Sequence, residues 1–167
     1  MLQILWDASG LSKRYYSESG TAAVNTLFST APSLLMAVTF IGYTETATIL
    51  QRRRNQRDLS PTGFTQAHIL LRDEILINPD FTLVSVSDTD FLAGVSLTER
   101  HNINASDAAI LSAYLRHARS QPPNTPPCVL IASDRRLIRA AEAEGLRTLN
   151  PELVPAADIP AFIAHLS

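Results

Sequence analysis

The stretch Leu2-Gln3-Ile4-Leu5-Trp6-Asp7-Ala8-Ser9 opens the chain with an apolar run that ends abruptly in a carboxylate. Its length and composition predict a buried central strand with Asp7 at the carboxyl tip. Helical patterns follow this run and the later apolar runs, which is typical of a parallel sheet covered by helices on both faces. Because ligands bind beyond the carboxyl ends of such strands, we expect Asp7 to point into a functional crevice.

Three other acidic residues share the setting of Asp7, a lone charge beside apolar sequence. Each is the only Asp, Glu, Lys or Arg in a long stretch: Glu45 over residues 19–51, Asp107 over residues 101–115 and Asp134 over residues 120–134. Each acid also has a hydroxyl neighbour: Ser9 for Asp7, Thr44 and Thr46 for Glu45, Ser106 for Asp107, and Ser133 for Asp134. An ionised carboxylate is costly to bury without a partner, so four such acids suggest a shared cation.

Helix capping is the simpler explanation for two of these acids. Asp107 and Asp134 fall at predicted helix starts, where an acid is favoured by about 0.3–1 kcal/mol, so capping accounts equally well for either one alone. Asp7 and Glu45 have no such explanation. Another pair of acids, Asp88 and Asp90, follows Ser87 in the pattern of a capping box, and we leave both out of the predicted site.

Length and composition predict one soluble domain over residues 1–167, large enough to form its own core. The net charge of -2 is not that of a typical nucleic-acid binder, although arginines cluster at residues 52–57 and 135–139. The single cysteine, Cys128, lies in an apolar run, which fits a buried thiol and a reducing cytoplasm. We expect no secretory signal, and no membrane helix, because polar residues interrupt the uncharged region 19–51.

Hydrophobic periodicity and capping signals predict five strands joined by helices. The predicted strands cover about residues 2–7, 34–38, 81–86, 128–132 and 147–149. The predicted helices cover about residues 11–16, 21–28, 39–54, 61–76, 91–100, 104–118, 134–143 and 159–166, with a turn at 8–10 and an exposed proline-rich loop at 120–127.

Four sequence blocks, in order along the chain, carry a resemblance to a known family. They are LWDASGLSKRY at residues 5–15, YTETA at 43–47, NASDAAILSA at 104–113, and ASDRRL at 132–137 with AEAEGL at 141–146, followed by Asn150-Pro151. In these blocks the chain resembles the PIN-domain nucleases, in particular the small single-domain toxins of the VapC-like type. The resemblance covers nearly the whole chain.

The resemblance implies a three-layer α/β/α sandwich with a central, mainly parallel sheet of about five strands, and metal-dependent endoribonuclease activity. It implies that the catalytic and metal-binding residues are Asp7, Glu45, Asp107 and Asp134, with Ser133 as a supporting hydroxyl and Ser9 as a weaker one. Carboxylate ligands suit Mg²⁺ or Mn²⁺ better than a structural zinc. Arg14, Arg52 and Arg135 are the predicted phosphate contacts.

The resemblance also implies partners. RNA would be the substrate, an antitoxin protein would cover the acidic crevice, and the chain would form a homodimer, for which the helix face with Tyr114 and Leu115 is the predicted surface. A housekeeping RNA-processing nuclease, or a nuclease that cuts DNA, fits the sequence as well. A non-catalytic module whose acids bind a partner's arginines is a further alternative. An aspartyl-phosphate phosphotransferase is disfavoured, because it would need an acid at position 9, where this chain has Ser9.

Overall fold

One parallel sheet organises the chain in the computed structural model, which describes residues 3–122 and 127–166. The strands are β1 (Gln3–Trp6), β2 (Met36–Thr39), β3 (Thr82–Val84), β4 (Cys128–Ile131) and β5 (Arg147–Leu149). Their order in the sheet is β3-β2-β1-β4-β5, and all four pairings are parallel. The first strand of the chain is therefore the central one, as the sequence predicts.

Helices connect the strands and cover both faces of the sheet. They are α1 (Ala8–Leu11), α2 (Thr21–Thr30), α3 (Phe40–Asn55), α4 (Pro61–Leu71), α5 (Asp88–His101), α6 (Ala105–Arg119), α7 (Arg135–Ala143) and α8 (Ile159–Leu166). Short 3₁₀ turns lie at Ser12–Arg14, Ser33–Leu35 and Ala156–Asp158, and a π-helical segment, Arg72–Ile77, continues α4.

Side chains alternate across the sheet and divide the core into two layers. On one face Ile4 and Trp6 pack with residues of α2, α3, α4 and α8. On the other face Leu5 packs with residues of α5, α6 and α7. The predicted three-layer α/β/α fold is confirmed, and the sheet is fully parallel.

Local capping signals explain most helix starts. Ser60 and Asn104 accept hydrogen bonds from the third residues of α4 and α6, and Ser87 and Asp90 form the predicted capping box of α5. Gly145 has a φ of +88° just after α7, a conformation that suits glycine.

Some predicted boundaries are wrong. Residues 8–10 form a helix instead of a turn, because the Asp7 side chain caps α1 by accepting from the Ser9 backbone N–H. The second strand begins at Met36 instead of 34, since a 3₁₀ turn follows Pro32. The third strand is shorter than predicted, and the helix from Pro61 changes to π-helical geometry after Leu71. Residues 123–126 of the predicted proline-rich loop lie outside the described residues.

Helix α6 is a core helix. Tyr114 is 0% exposed and Leu115 is 8% exposed, so the prediction that they form a homodimer surface is wrong. The reason is that Tyr114 faces the ends of β1 and β2, while α5 packs along α6. Gly94 of α5 approaches α6 so closely that a Cβ atom there would lie 3.1 Å from the carbonyl carbon of Ala108.

The Tyr114 hydroxyl joins the carboxyl ends of two neighbouring strands. It donates to the carbonyl oxygen of Trp6 at 2.6 Å and accepts from the backbone N–H of Thr39 at 3.0 Å. One buried side chain thus fixes the strand ends from which Asp7 and α3 continue.

Across the described ranges, no helix combines the length and the apolar character that crossing a membrane requires.

Candidate active site

The carboxyl edge of β1, β2 and β4 brings together the four acids singled out in the sequence. Asp7 directly follows β1, Asp134 follows β4, Glu45 lies on α3 after β2, and Asp107 lies in the first turn of α6. The charges of Asp7, Glu45 and Asp134 all act on Asp107. Ser106, next to Asp107, links the start of α6 to α3, since its hydroxyl donates to Glu45 Oε1 at 2.9 Å.

Asp7 is a buried carboxylate. Its Oδ2 atom accepts from the Ser9 backbone N–H at 2.9 Å and from the Ser9 hydroxyl. Burial raises the pKa of Asp7, the two bonds from Ser9 oppose that change, and the charge of Glu45 adds to it. The carboxylate is thus held in place by a neighbour that does not neutralise it.

Ser9 connects the ends of two strands. While its hydroxyl donates to Asp7, the same oxygen accepts from the backbone N–H groups of Ser133 at 2.9 Å and Asp134 at 3.3 Å. The Ser133 hydroxyl oxygen is buried and has no hydrogen-bond partner among the described residues. The sequence predicts Ser133 as the supporting hydroxyl and Ser9 as the weaker one. In the structure, the hydroxyl that bonds an acid and both strand ends is that of Ser9.

Burial and the neighbouring acids both act on Asp107. The pKa of Asp107 is raised to about 7 by burial and then by the charges of Asp7, Asp134 and Glu45, while the Arg136 charge lowers it. Asn104 caps α6 and bonds Asp107 at both its backbone N–H and its Oδ2, each at 2.8 Å.

Asp134 has the capping role that its position predicts. Its Oδ1 accepts from the backbone N–H groups of Arg136 at 2.7 Å and Leu137 at 3.3 Å. Both capping bonds end on Oδ1, so the Oδ2 atom of Asp134 takes no part in capping. Asp134 can therefore cap α7 and also belong to the acidic cluster.

The acidic cluster lacks a paired cation. Within the described parts of the chain, Asp7, Glu45, Asp107 and Asp134 form no ion pair with Lys, Arg or His, whereas the buried carboxylate of Asp90 pairs with Arg116 at 2.8 Å. Buried charges are normally paired or coordinate metals. The four acids have no ion-pair partner within the described structure.

The donor set fits Mg²⁺ or Mn²⁺. All four candidate ligands are carboxylates, which these hard cations prefer. Among residues 3–122 and 127–166, no three Asp, Glu, His or Cys side chains are placed to hold a metal ion by themselves. Mg²⁺ usually takes one or two carboxylates and fills its other positions with water and substrate phosphate.

Comparisons with known proteins identify the fold. No family model and no curated protein matches the sequence. The solved structure of VapC20 from Mycobacterium tuberculosis, a sarcin-ricin loop cleaving toxin, matches with a TM-score of 0.62 and 17% identity over 92% of this chain and 100% of that chain. FitAcB from Neisseria gonorrhoeae matches with a TM-score of 0.62 and 16% identity over 91% of this chain and 100% of that chain. A toxin-antitoxin complex from Klebsiella pneumoniae has a TM-score of 0.56 and 14% identity, over 89% and 98% of the respective chains.

The fold is PIN-like. At these identities the likeness concerns the arrangement of helices and strands, so the roles of individual residues have to be argued from their geometry in this chain.

The PIN-like fold places the three predicted phosphate-binding arginines in different surroundings. Arg52 lines a cleft of about 540 Å³ that also contains Ser9, Ser133 and Asp134. Arg14 is held by Glu74 at 2.7 Å and by Asn25 at 2.9 Å. Arg135 lines another cavity, between α7 and the segment after β5. Arg52 is thus the predicted arginine that the fold brings beside the acids.

Sequence reasoning missed several charged residues near the acids. The charge of Arg136 acts on Asp107, whereas the sequence singled out only its neighbour Arg135, as a phosphate contact. Lys13 and Arg53 line the cleft beside Arg52. Lys13 carried one usable signal, because it is the only lysine in the sequence.

Proposed function

We propose that this chain is a metal-dependent endoribonuclease and the toxin of a toxin-antitoxin pair. The observation that carries the proposal is the set of four carboxylates at the carboxyl edge of the sheet, without a paired cation in the described structure. Burial and the charges of the other three acids together raise the pKa of Asp107 to about 7. A cluster with this charge is suited to a divalent metal and, through it, to a phosphodiester.

The PIN-like fold supports the choice of reaction. VapC20, which shares the fold, is a toxin that cleaves the sarcin-ricin loop, and other structures with this fold are toxin-antitoxin complexes. RNA is therefore the proposed substrate. A housekeeping RNA-processing enzyme or a DNA-cutting nuclease would use the same site, and the choice of nucleic acid in the test below separates them.

Mg²⁺ or Mn²⁺ would bind among Asp7, Glu45, Asp107 and Asp134, with one or two of these carboxylates as direct ligands. When bound, the ion supplies a water of lowered pKa and neutralises charge on the phosphodiester. Ser9 orients Asp7 and fixes the end of β4 against the end of β1. Asn104 and Ser106 orient Asp107 and Glu45. The unpartnered Ser133 hydroxyl is available to a water or to the substrate. Hydrolysis of this kind would leave a 5′-phosphate and a 3′-hydroxyl.

Cleavage of structured RNAs by the purified protein, free of antitoxin, tests the proposal. We expect cutting in Mn²⁺ or Mg²⁺, none in a chelator, and none from Asp7→Asn or Asp107→Asn. Asp73→Asn is the matched control, because this acid is exposed and pairs with Arg72 at 2.7 Å. Cutting that survives in the two site variants would contradict the proposal.

A non-catalytic binding module is the second candidate, and the unpaired carboxylates also favour it, since they would accept arginines of a partner as readily as a metal. This candidate predicts no cutting of any nucleic acid. It also predicts that an arginine-rich peptide binds the wild-type chain and not Asp7→Asn, without divalent metal.

The proposed antitoxin would cover the acidic edge of the sheet with a basic segment. Co-expression with a small reading frame found next to the coding sequence would then give a stable complex that does not cut RNA. A complex that cuts at the full rate would contradict this partner role.

We also propose a homodimer, through a surface other than the one predicted from sequence. Phe91, Leu92 and Val95 of α5 are exposed by 45%, 75% and 56%, and they lie on one side of the helix. Two α5 helices packed antiparallel would bring these apolar side chains together. The acidic start of one helix, with Asp88, would then lie beside the basic end of the partner helix, with Arg100.

A further inference from the structure

The cleft beside the acids has a wall that belongs to none of the catalytic residues proposed above. This wall comes from the turn after α1, from α3 and from the loop after β5, and its charged residues include Lys13, Arg52, Arg53 and Glu152. Because Ser9, Ser133 and Asp134 also line the cleft, it is continuous with the acidic cluster. A molecule bound at the acids would therefore extend into it.

Two of the three cations on this wall are neutralised inside the protein. The Lys13 ammonium donates to Glu152 at 2.7 Å and to Glu18 at 3.1 Å, and Lys13 is buried. The Arg53 guanidinium pairs with Glu18 at 2.9 Å and with Asp58 at 3.4 Å. These connected ion pairs link the turn after α1, α3 and the loop after β5, so they hold this wall of the cleft in place.

Arg52 differs from its neighbours on α3. It is exposed, and among the described residues its guanidinium has no ion pair and no hydrogen bond. Arg53 lies over the Tyr16 ring at 4.8 Å, and Arg54 lies over the Phe64 ring at 4.7 Å. The cleft thus has a carboxylate without an ion pair, Asp134, on its acidic side and an unneutralised guanidinium, Arg52, on its other side.

We propose that this cleft is the subsite for the nucleotide next to the scissile bond of a single-stranded RNA, with the Arg52 guanidinium on its phosphate. The inference rests on the proposed nuclease function and adds the position of a second phosphate to it. A guanidinium presents paired donors that match phosphate oxygens, and it stays charged at any physiological pH. A volume of about 540 Å³ lies within the usual range of small-ligand pockets, so the cleft is large enough for one nucleotide.

Binding of a short, fluorescently labelled, single-stranded RNA to the full chain in a chelator, measured at several salt concentrations, tests the subsite without cutting. We expect Arg52→Ala to weaken binding roughly tenfold and to reduce the slope of log K against log salt by about 0.7, the value for one phosphate contact on a single strand. Arg52→Lys keeps the slope. Arg54→Ala is the matched control, an arginine two positions away that does not line the cleft, and it should leave affinity and slope unchanged.

The cutting assay gives an independent readout. Arg52→Ala should raise KM while kcat stays near the wild-type value, because the contact is made equally in the bound substrate and in the transition state. Thermal unfolding should be unchanged, since Arg52 has no partner to lose. Equal weakening by Arg52→Ala and Arg54→Ala, or no weakening by either, would overturn the subsite while leaving the Asp7-dependent nuclease intact. Binding that depends on Arg52 without any metal-dependent cutting would overturn the nuclease and leave an RNA site.

Discussion

Arg116 holds Asp90 through two hydrogen bonds, from its Nε at 2.9 Å and its Nη2 at 2.8 Å. This bond pattern, with further bonds from Ser87, holds the pKa of Asp90 at about 2. Asp107, also in the first turn of a helix, has its pKa raised to about 7. The presence or absence of a cation thus separates a structural acid from the acids of the candidate site.

The Asp90 pair predicts a dependence of stability on acid pH. Because the folded-state pKa lies below the ordinary value of 3.8, the pair stabilises the fold above pH 4, by roughly 2 kcal/mol, and this contribution is lost as pH falls through about 2. In urea unfolding, the free energies of unfolding of the wild type and Asp90→Asn should differ by that amount at pH 7 and become nearly equal at pH 2. Asp73→Asn, in an exposed pair, should cost less than about 1 kcal/mol at either pH. A gap between wild type and Asp90→Asn that persists at pH 2 would contradict the ion-pair account.

Ser9 and Ser133 offer a matched pair of serines with opposite expectations. Ser9→Ala removes one donor to Asp7 and the acceptor for two backbone N–H groups, so we expect it to lower the free energy of unfolding by roughly 1–3 kcal/mol and to reduce RNA cutting. Ser133→Ala removes a hydroxyl without a described partner and should change stability by less than about 0.5 kcal/mol. Urea unfolding measures both, and equal losses would show that Ser9 does not connect the strands as described.

Tyr114→Phe removes the hydroxyl shared by Trp6 and Thr39 while keeping the ring. Two buried backbone groups lose their partner, so the free energy of unfolding should fall by roughly 1–3 kcal/mol. Tyr16→Phe is the control, because the described structure gives its hydroxyl no hydrogen bond and the phenylalanine ring would still lie under Arg53. Similar urea midpoints for the two variants would contradict the role of the Tyr114 hydroxyl.

The proposed homodimer is tested by two exposed leucines. Leu92 on α5 is 75% exposed and Leu153, after β5, is 70% exposed, so either accepts a charge without strain in the folded monomer. Leu92→Asp should convert a dimer to a monomer in light scattering, while Leu153→Asp should not. A wild-type chain that is monomeric at high concentration would rule out the dimer.

Much of the fold could be predicted because its signals are local. The apolar runs, the capping residues Ser60, Ser87 and Asn104, and Gly145 each act within a few positions of the chain. The mistake at residues 8–10 has the same local character, because the carboxylate that ends β1 is also the cap of α1. The sequence predicts Asp7 as the end of β1 but not as the cap of α1.

The candidate site was harder to predict because side-chain directions depend on packing. The four acids were found from their isolation in apolar sequence, and the structure brings them to one edge of the sheet. Arg14, Arg52 and Arg135 look alike in sequence, yet one is held by Glu74, one lines the cleft and one lies elsewhere. Tyr114 and Leu115 were misplaced for the same reason, since only the packing of α6 against the sheet and against α5 shows that these side chains are covered.

The hydrogen bond between Ser9 and the Ser133 backbone joins positions 124 residues apart. During synthesis on the ribosome, Asp7 emerges long before its partners at the end of β4. A nascent chain that has not been extended past Asp134 cannot contain the complete acidic cluster. If the chain is a toxin, the topology of its sheet therefore delays its activity until Asp134 has been synthesised.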